Sequence, residues 1–232
     1  MEGGFGPNIV FTLPGGIPVT ETVTTTWIIM AGLIIISYLA TRNFEKIPKG
    51  MQNFIELVVD GIYSLTGQTM GDDKIGFAPY IGTIMLFIAC ANLSGLLGFR
   101  PPTADVNTTL GLSLITFCMI HGFGMKSKGV GTYLKGFTEP FVVMTPLNVI
   151  GELATPVSLA FRLFGNIVGG VIIMSLLYGA LGAFSTKLGI SIPILQAAIP
   201  APFHLYFDLF SGILQSFIFT MLTMVFVSMA MD

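Results

Sequence analysis

Long apolar stretches with almost no charged residues constrain the fold of this 232-residue chain more than any other feature. Over the whole chain 53% of the residues are hydrophobic and 9% are charged, against about 25% charged in a soluble domain. About 20 apolar residues in helical conformation are enough to cross the hydrocarbon core of a bilayer. The sequence therefore predicts an all-α integral membrane protein with about five membrane-crossing helices.

Shorter features divide the first part of the chain into segments. Residues 1–23 are rich in Gly and Pro and lack Lys and Arg, and residues 24–41 form the first span. Residues 51–66 place apolar side chains on one helical face and acidic ones on the other, which predicts an interfacial amphipathic helix. Residues 79–125 contain two apolar stretches around a Pro-containing turn, which predicts a helical hairpin.

The basic residues are distributed unequally between the two sides of the membrane. The side that carries more Lys and Arg is expected to be cytoplasmic, so we predict an external N-terminus and a cytoplasmic C-terminus. Of the ten basic residues, Arg100 and Lys187 fall outside and Arg162 lies within the membrane. The other seven fall on the cytoplasmic side: Arg42, Lys46, Lys49, Lys74, Lys126, Lys128 and Lys135.

Residues 140–232 contain two mostly apolar segments, each of which exceeds the length of one upright crossing. The first runs from Pro140 to Gly182 and the second from about Ile190 to Met231. Helices of this length must tilt or bend to stay in the bilayer, so we predict a long tilted helical hairpin. Prolines provide places where these helices could start or bend: Pro146, Pro156, Pro193, Pro200 and Pro202.

Polar residues recur at helical spacing along both long segments. The first stripe comprises Glu152, Thr155, Ser158, Arg162, Asn166 and Gly169, and the second comprises Asp208, Ser211 and Gln215. A polar stripe within the membrane must face protein or a water-filled cavity, so two stripes on neighbouring helices predict an aqueous ion path. The guanidinium of Arg162 cannot lose its proton, which suits it to an anionic partner.

Four motifs resemble the a subunit of F-type ATP synthases over nearly the whole chain. They are "NLSGLLGF", "RPPTADVNTTLGLSL", "EPFVVMTPLNVIGELATPVSLAFRLFGNIVGG" and "LQSFIFTMLTMVFVSMA". The resemblance implies a cell-membrane protein of the CF(0) sector that couples ion transport to rotation and ATP synthesis. It also implies that Arg162 faces the carboxylates of a ring of c subunits, with Asn166 and Gln215 as polar neighbours. The implied partners are the c ring, the b subunits of the peripheral stalk, membrane lipid, and translocated protons or sodium ions.

The sequence departs from the family pattern where many members carry a carboxylate after the "GN…G" stretch. Val171 occupies that position here, and Asp208 could serve the outer half of the ion path instead. The missing carboxylate leaves sodium coupling open beside proton coupling, which most members of the family use. Asp105 is interpreted as a residue of the ion path or as a helix N-cap, and Glu152 as a residue of the exit path or of the headgroup region.

Several function classes find no support in the sequence. It contains no phosphate loop, metal cluster or nucleophile motif, and a net charge of -2 does not indicate a nucleic-acid partner. We therefore expect no metal, no cofactor and no catalytic chemistry of its own. The two histidines, His121 and His204, lack ligand spacing and are interpreted as interfacial or packing residues. The main alternative is an ion-coupled secondary transporter with broken helices.

Overall fold

The computed structural model describes residues 8–42, 44–45, 49–139, 141–187, 196 and 198–232, which are predominantly helical. Five helical stretches are long and apolar enough to cross a membrane, which confirms the predicted all-α membrane fold. Four positions used in the sequence analysis lie outside the described residues: Lys46, Pro140, Ile190 and Pro193.

The chain begins with an antiparallel β-hairpin that the sequence analysis does not predict. Strand β1 spans Ile9–Leu13, strand β2 spans Ile17–Thr20, and the turn uses Gly15 and Gly16 at φ of 110° and 79°. A Pro-Gly-Gly sequence between two apolar stretches is the local signal for such a turn. Helix α1, Glu21–Thr41, follows directly and is the first candidate span.

Four helices form the middle of the chain: α2, Met51–Met70; α3, Ala78–Leu93; α4, Val106–Lys128; and the short α5, Val130–Gly136. Short 3₁₀ turns join α2 to α3 and α3 to α4. Helix α2 is amphipathic, and the apolar side chains near its C-terminal end pack against α3 and the last helix. The Pro79 ring occupies the first turn of α3, where a missing N–H costs no intrahelical hydrogen bond.

The last part of the chain forms two helices that are longer than the bilayer is thick. Helix α6, Thr145–Lys187, has 43 residues and continues through Pro156. Helix α7, Pro200–Met231, has 32 residues and includes a π-helical turn at Leu205–Phe210. At a rise of about 1.5 Å per residue these helices are about 65 and 48 Å long, against a hydrocarbon core of about 30 Å. A steep tilt follows if both remain in the bilayer.

Helices α3, α4, α6 and α7 pack together around two apolar clusters. The first cluster is centred on Ile81, Ile120 and Met224, and the second on Leu163 and Phe219. Small polar contacts join the helices between the clusters, including Thr116 to Thr223 and Asn92 to the carbonyl of Gly212. Gly212 permits this approach, because a Cβ there would lie 3.1 Å from the Asn92 side chain. Close approach at glycine and hydrogen bonds of polar side chains between helices are both typical of helix packing in membranes.

Polar contacts also mark the two ends of the helix bundle. At one end, the buried Lys74 amine contacts Asp232 and donates to Ser228, where the last helix ends. At the other end, a carboxylate oxygen of Glu21 lies 3.7 Å from a guanidinium nitrogen of Arg100. The Thr22 hydroxyl donates to the Asp105 carboxylate at 2.9 Å. The beginning of α1 and the turn between α3 and α4 therefore lie at the same end of the bundle.

Candidate functional site

Arg162 lies in the middle of α6 and points out of the helix bundle. Its neighbours Leu159 and Leu163 are buried in the core, whereas Arg162 and Ser158 are exposed. In the described part of the chain, the guanidinium has no hydrogen-bond or ion-pair partner. A permanent cation within an apolar helix is costly unless it meets an anion or water, and among the described residues the Arg162 guanidinium meets no anion.

One helical turn beyond Arg162, the two long helices are joined by a hydrogen bond between amide side chains. The Asn166 amide nitrogen donates to the Gln215 side-chain oxygen at 2.6 Å. Gln215 is 3% exposed, and its amide nitrogen has no partner among the described residues. Asn166 is exposed on the same side of α6 as Arg162. The sequence analysis assigned both residues to the ion path, and the structure brings them into contact.

A polar cavity leads from Arg162 toward the end of the bundle that carries Lys74 and Asp232. Its narrow part, about 200 Å³, is lined by Ser158, Thr155 and Arg162. A wider cavity of about 640 Å³ shares Thr155 with it and extends to Glu152 and Lys128. We call these two cavities together the inner cavity.

Glu152 influences a tyrosine across the inner cavity. Burial raises the pKa of Tyr133, and the negative charge of Glu152 raises that pKa further. The Tyr133 hydroxyl contacts the His121 ring at 2.8 Å, and His121 packs among Phe117, Tyr133 and Phe137. For His121 the structure therefore supports the packing interpretation, and it places Glu152 on a polar cavity.

A second cavity, of about 590 Å³, opens between α6 and α7 at the end that carries Arg100 and Glu21; we call it the outer cavity. Asp208 and His204 of α7 line it, as does Val171 of α6. Among the residues that line this cavity, α6 contributes Val171 and no acid, whereas α7 contributes the carboxylate of Asp208. The inner and outer cavities thus approach α6 on either side of the Arg162–Asn166 turn.

Asp208 belongs to a hydrogen-bonded group that the sequence analysis did not identify. Its carboxylate lies 2.5 Å from the Nδ1 atom of His204, four residues earlier in the helix. The other ring nitrogen, Nε2, lies 3.0 Å from the hydroxyl of Tyr178 on α6. His204 was interpreted as an interfacial or packing residue, but it joins Asp208 to the opposite helix. The spacing of four residues between His204 and Asp208 was the available signal.

The remaining predicted site residues have structural surroundings of their own. Asp105 caps α4 by accepting the Asn107 backbone N–H at 2.9 Å, which confirms the N-cap interpretation. Its second carboxylate oxygen accepts from Thr22, so both oxygens have partners. Ser211 is half-buried at the start of the regular part of α7, directly after the π-helical turn. Among the described residues, no three His, Cys, Asp or Glu side chains lie together as a metal site would require.

Comparisons with known proteins point to one family. A family model described as "ATP synthase A chain" matches residues 23–228. The chain is 39% identical to "ATP synthase subunit a, sodium ion specific" of Propionigenium modestum, over 91% of this chain and 74% of that protein. It is 37% identical to "ATP synthase subunit a 3" of Pelobacter propionicus, over 91% of this chain and 88% of that protein. It is 35% identical to "ATP synthase subunit a" of Moorella thermoacetica, over 96% and 95% of the two chains.

Proposed function

The chain belongs to the ATP synthase A chain family, and we propose that Arg162 is its stator charge, which faces the carboxylates of a rotating c ring. As an a subunit, the chain is a multi-pass protein of the membrane sector of ATP synthase. The observation that carries the proposal is the exposed and unpaired guanidinium of Arg162 between two polar cavities. Because its counter-charge belongs to another subunit, the cation has no partner within the described part of this chain.

The two cavities provide the paths that such a mechanism needs. An ion that arrives through the outer cavity neutralises a rotor carboxylate, which can then turn through lipid at low cost. When that carboxylate returns to Arg162, the fixed positive charge favours its ionised form, and the ion leaves through the inner cavity. The ion is a proton or a sodium ion, and Glu152 lies on its way out.

The surface of α6 around Arg162 fits close approach by another helix. Gly165 and Gly169 have no atom within 4 Å of where a Cβ would lie, so no side chain of the described part covers them. Phe161 is 56% exposed beside Arg162, which leaves an apolar surface on this face. Small and apolar residues together permit dense helix packing in a bilayer, and the c ring is the occupant that we propose.

The proposed orientation places the outer cavity outside the cell and the inner cavity on the cytoplasmic side. The seven-to-two distribution of basic residues supports it, and so does the position of Lys128 at the inner cavity. We propose a bacterial plasma membrane as the location, with b subunits of the peripheral stalk as further partners.

Cysteine labelling tests this orientation. In a background in which Cys90 and Cys118 are replaced by Ala, Ser127→Cys should react with a membrane-impermeant maleimide only from the cytoplasmic face. Asn107→Cys should react only from the outside, because residue 107 begins α4 at the opposite end. Both positions are exposed, so burial does not prevent their reaction. Labelling of both cysteines from one face would contradict the proposed orientation.

An Asp208 variant tests the outer path. A carboxylate at the cavity wall raises the local concentration of cations, so Asp208→Asn should slow ATP synthesis most at low ion concentration. The substitution is nearly isosteric, and the c ring and the b subunits should therefore still copurify with the chain. Asp105→Asn is the matched control, because Asp105 serves as the N-cap of α4. Parental synthesis rates by Asp208→Asn at low ion concentration would remove Asp208 from the path.

The secondary-transporter alternative is not favoured, because the relatives are a subunits of ATP synthases. The matched family therefore assigns the chain to the membrane sector, and we propose that ATP chemistry takes place on other subunits of the complex.

A further inference from the structure

We propose that the N-terminal β-hairpin is a membrane anchor that lies in the headgroup layer of the outer leaflet, with one face against lipid acyl chains. The observation is a set of large apolar side chains that a two-stranded sheet leaves exposed. Among the described residues, Phe11, Leu13 and Ile17 are 44%, 42% and 61% exposed. Exposed apolar patches mark contacts with membranes or with other proteins. The side of the membrane rests on the proposed orientation, whereas the contact with lipid does not.

These apolar side chains share one face of the hairpin. Phe11 pairs with Val19 across the two strands, and Leu13 pairs with Ile17. Residues paired in this way point to the same side of the sheet, and Thr12 points to the opposite side. Val19 is 3% exposed and lies at the end of the hairpin that joins α1. The described part of the chain therefore covers the base of the apolar face and leaves the part nearer the turn uncovered.

Helix α1 places the hairpin at the level of the lipid headgroups. Its 21 residues span about 32 Å, which matches a hydrocarbon core of about 30 Å. Glu21, the first residue of α1, then lies at the edge of that core, and Thr20 of the hairpin directly precedes it. The headgroup layer is roughly 5–8 Å thick, and a strand of five residues such as β1 is about 17 Å long. An upright hairpin would extend into water, whereas one that lies along the membrane keeps its apolar face on acyl chains.

Two further observations favour lipid as the occupant of this face. Residues 3–20 contain no charged side chain, so the hairpin enters the boundary between headgroups and acyl chains without burying a charge. Helix α1, onto which the hairpin joins, is almost entirely exposed along its apolar span, as at Ile28 and Ile34. The hairpin thus continues directly into a helix whose surface meets lipid. Because residues 1–23 carry no Lys or Arg, the contact does not require anionic lipid.

Polar contacts hold the base of the hairpin to the outer end of the bundle. The backbone N–H of Glu21 donates to the Asn8 carbonyl at 2.9 Å, and the Asn8 amide donates to one carboxylate oxygen of Glu21 at 3.2 Å. The other oxygen of that carboxylate lies 3.7 Å from the Arg100 guanidinium. Glu21 and Arg100 both line the outer cavity. An anchored hairpin therefore holds the rim of the outer cavity at the membrane surface.

Spin labels test the anchor in phosphatidylcholine vesicles that contain the whole ATP synthase with its other cysteines removed. A nitroxide on Ile17→Cys should collide with oxygen, which concentrates in lipid, and should lose collisions with a water-soluble nickel chelate. Its depth should be roughly 5–10 Å into the boundary between headgroups and acyl chains. A nitroxide on Asn107→Cys, an exposed position at the same end of the bundle, is the control and should meet the nickel chelate freely. Adding anionic lipid should leave the depth at residue 17 unchanged.

Glutamate substitutions separate the two faces of the hairpin. Leu13→Glu should shift the label at residue 17 into water, because a carboxylate on the apolar face is costly to bury among acyl chains. Thr12→Glu is the matched control, because it places the same charge on the opposite face and should leave the depth unchanged. The same depth after both substitutions would overturn the assignment of the apolar face.

Two results would overturn the anchor itself. In the first, the label at residue 17 meets the nickel chelate as freely as the label at residue 107, which would place the hairpin in water. In the second, the label is shielded from both oxygen and nickel, which would place it against another protein. The depth is measured without turnover, so Arg162→Gln should keep the parental depth while it abolishes synthesis. A failed anchor therefore leaves the proposed function standing, and retained synthesis by Arg162→Gln leaves the anchor standing.

Discussion

Replacing Arg162 with Gln should open an ion leak as well as abolish ATP synthesis. The outer cavity reaches Ile167 on α6, and the inner cavity ends at Arg162, five residues earlier. At about 1.5 Å per residue, a cation at the outer edge lies roughly 7.5 Å from the guanidinium along the helix axis. With an effective dielectric constant of about 20, the repulsion between that cation and the Arg162 guanidinium is about 2 kcal/mol. Its loss should raise direct passage of ions between the cavities by roughly 30-fold.

The leak can be measured in vesicles that keep the water-soluble ATPase subunits but receive no nucleotide, so that the ring cannot turn freely and carry ions across. The decay of an imposed ion gradient should be roughly 30-fold faster with Arg162→Gln than with the parent. Arg162→Lys retains a positive charge, so it should remain nearly tight while it supports little synthesis, because an ammonium has a different shape and can deprotonate. Lys187→Gln removes a charge from the end of the same helix and serves as the control. Vesicles of Arg162→Gln as tight as those of the parent would refute the barrier role.

Three further predictions concern contacts that hold the site in place. Gln215→Leu should reduce ATP synthesis, because it leaves the Asn166 amide without its 2.6 Å partner. In a double-mutant cycle with Asn166→Ala, the effects of the two substitutions on ATP synthesis should therefore not be additive. Asp105→Ala should lower the free energy of unfolding by about 1 kcal/mol through loss of the α4 cap, measured as a lower Tm of the purified complex. The hydrogen bond from Lys74 lowers the pKa of Asp232 below 3.8, so this contact stabilises the fold at neutral pH and is lost as the pH falls through that lowered value. Asp232→Asn should therefore unfold more easily than the parent at pH 7, with a difference that disappears in strong acid, as followed by circular dichroism in detergent.

Local properties of the sequence were sufficient for the class of fold, and they singled out Arg162 as the candidate central residue. A bilayer requires each backbone polar group to be satisfied within its own segment, so apolar stretches of sufficient length become helices whatever surrounds them. The same environment makes a permanent charge such as Arg162 conspicuous in the sequence. The four motifs identified the family, and the match over residues 23–228 confirms it. The N-cap interpretation of Asp105 also depends only on neighbouring residues, and it is confirmed.

Only the tertiary structure decided which polar side chains meet. Asn166 and Gln215 lie 49 residues apart, and Tyr178 and His204 lie 26 apart, so their contacts depend on how α6 and α7 are rotated and offset against each other. The π-helical turn around Asp208 changes that rotation, and a count at regular helical spacing does not include it. The outer cavity likewise combines residues from α1, α6, α7 and the turn after α3. Hydropathy along one segment carries no information about the partner that faces it, because that choice is made by packing between helices.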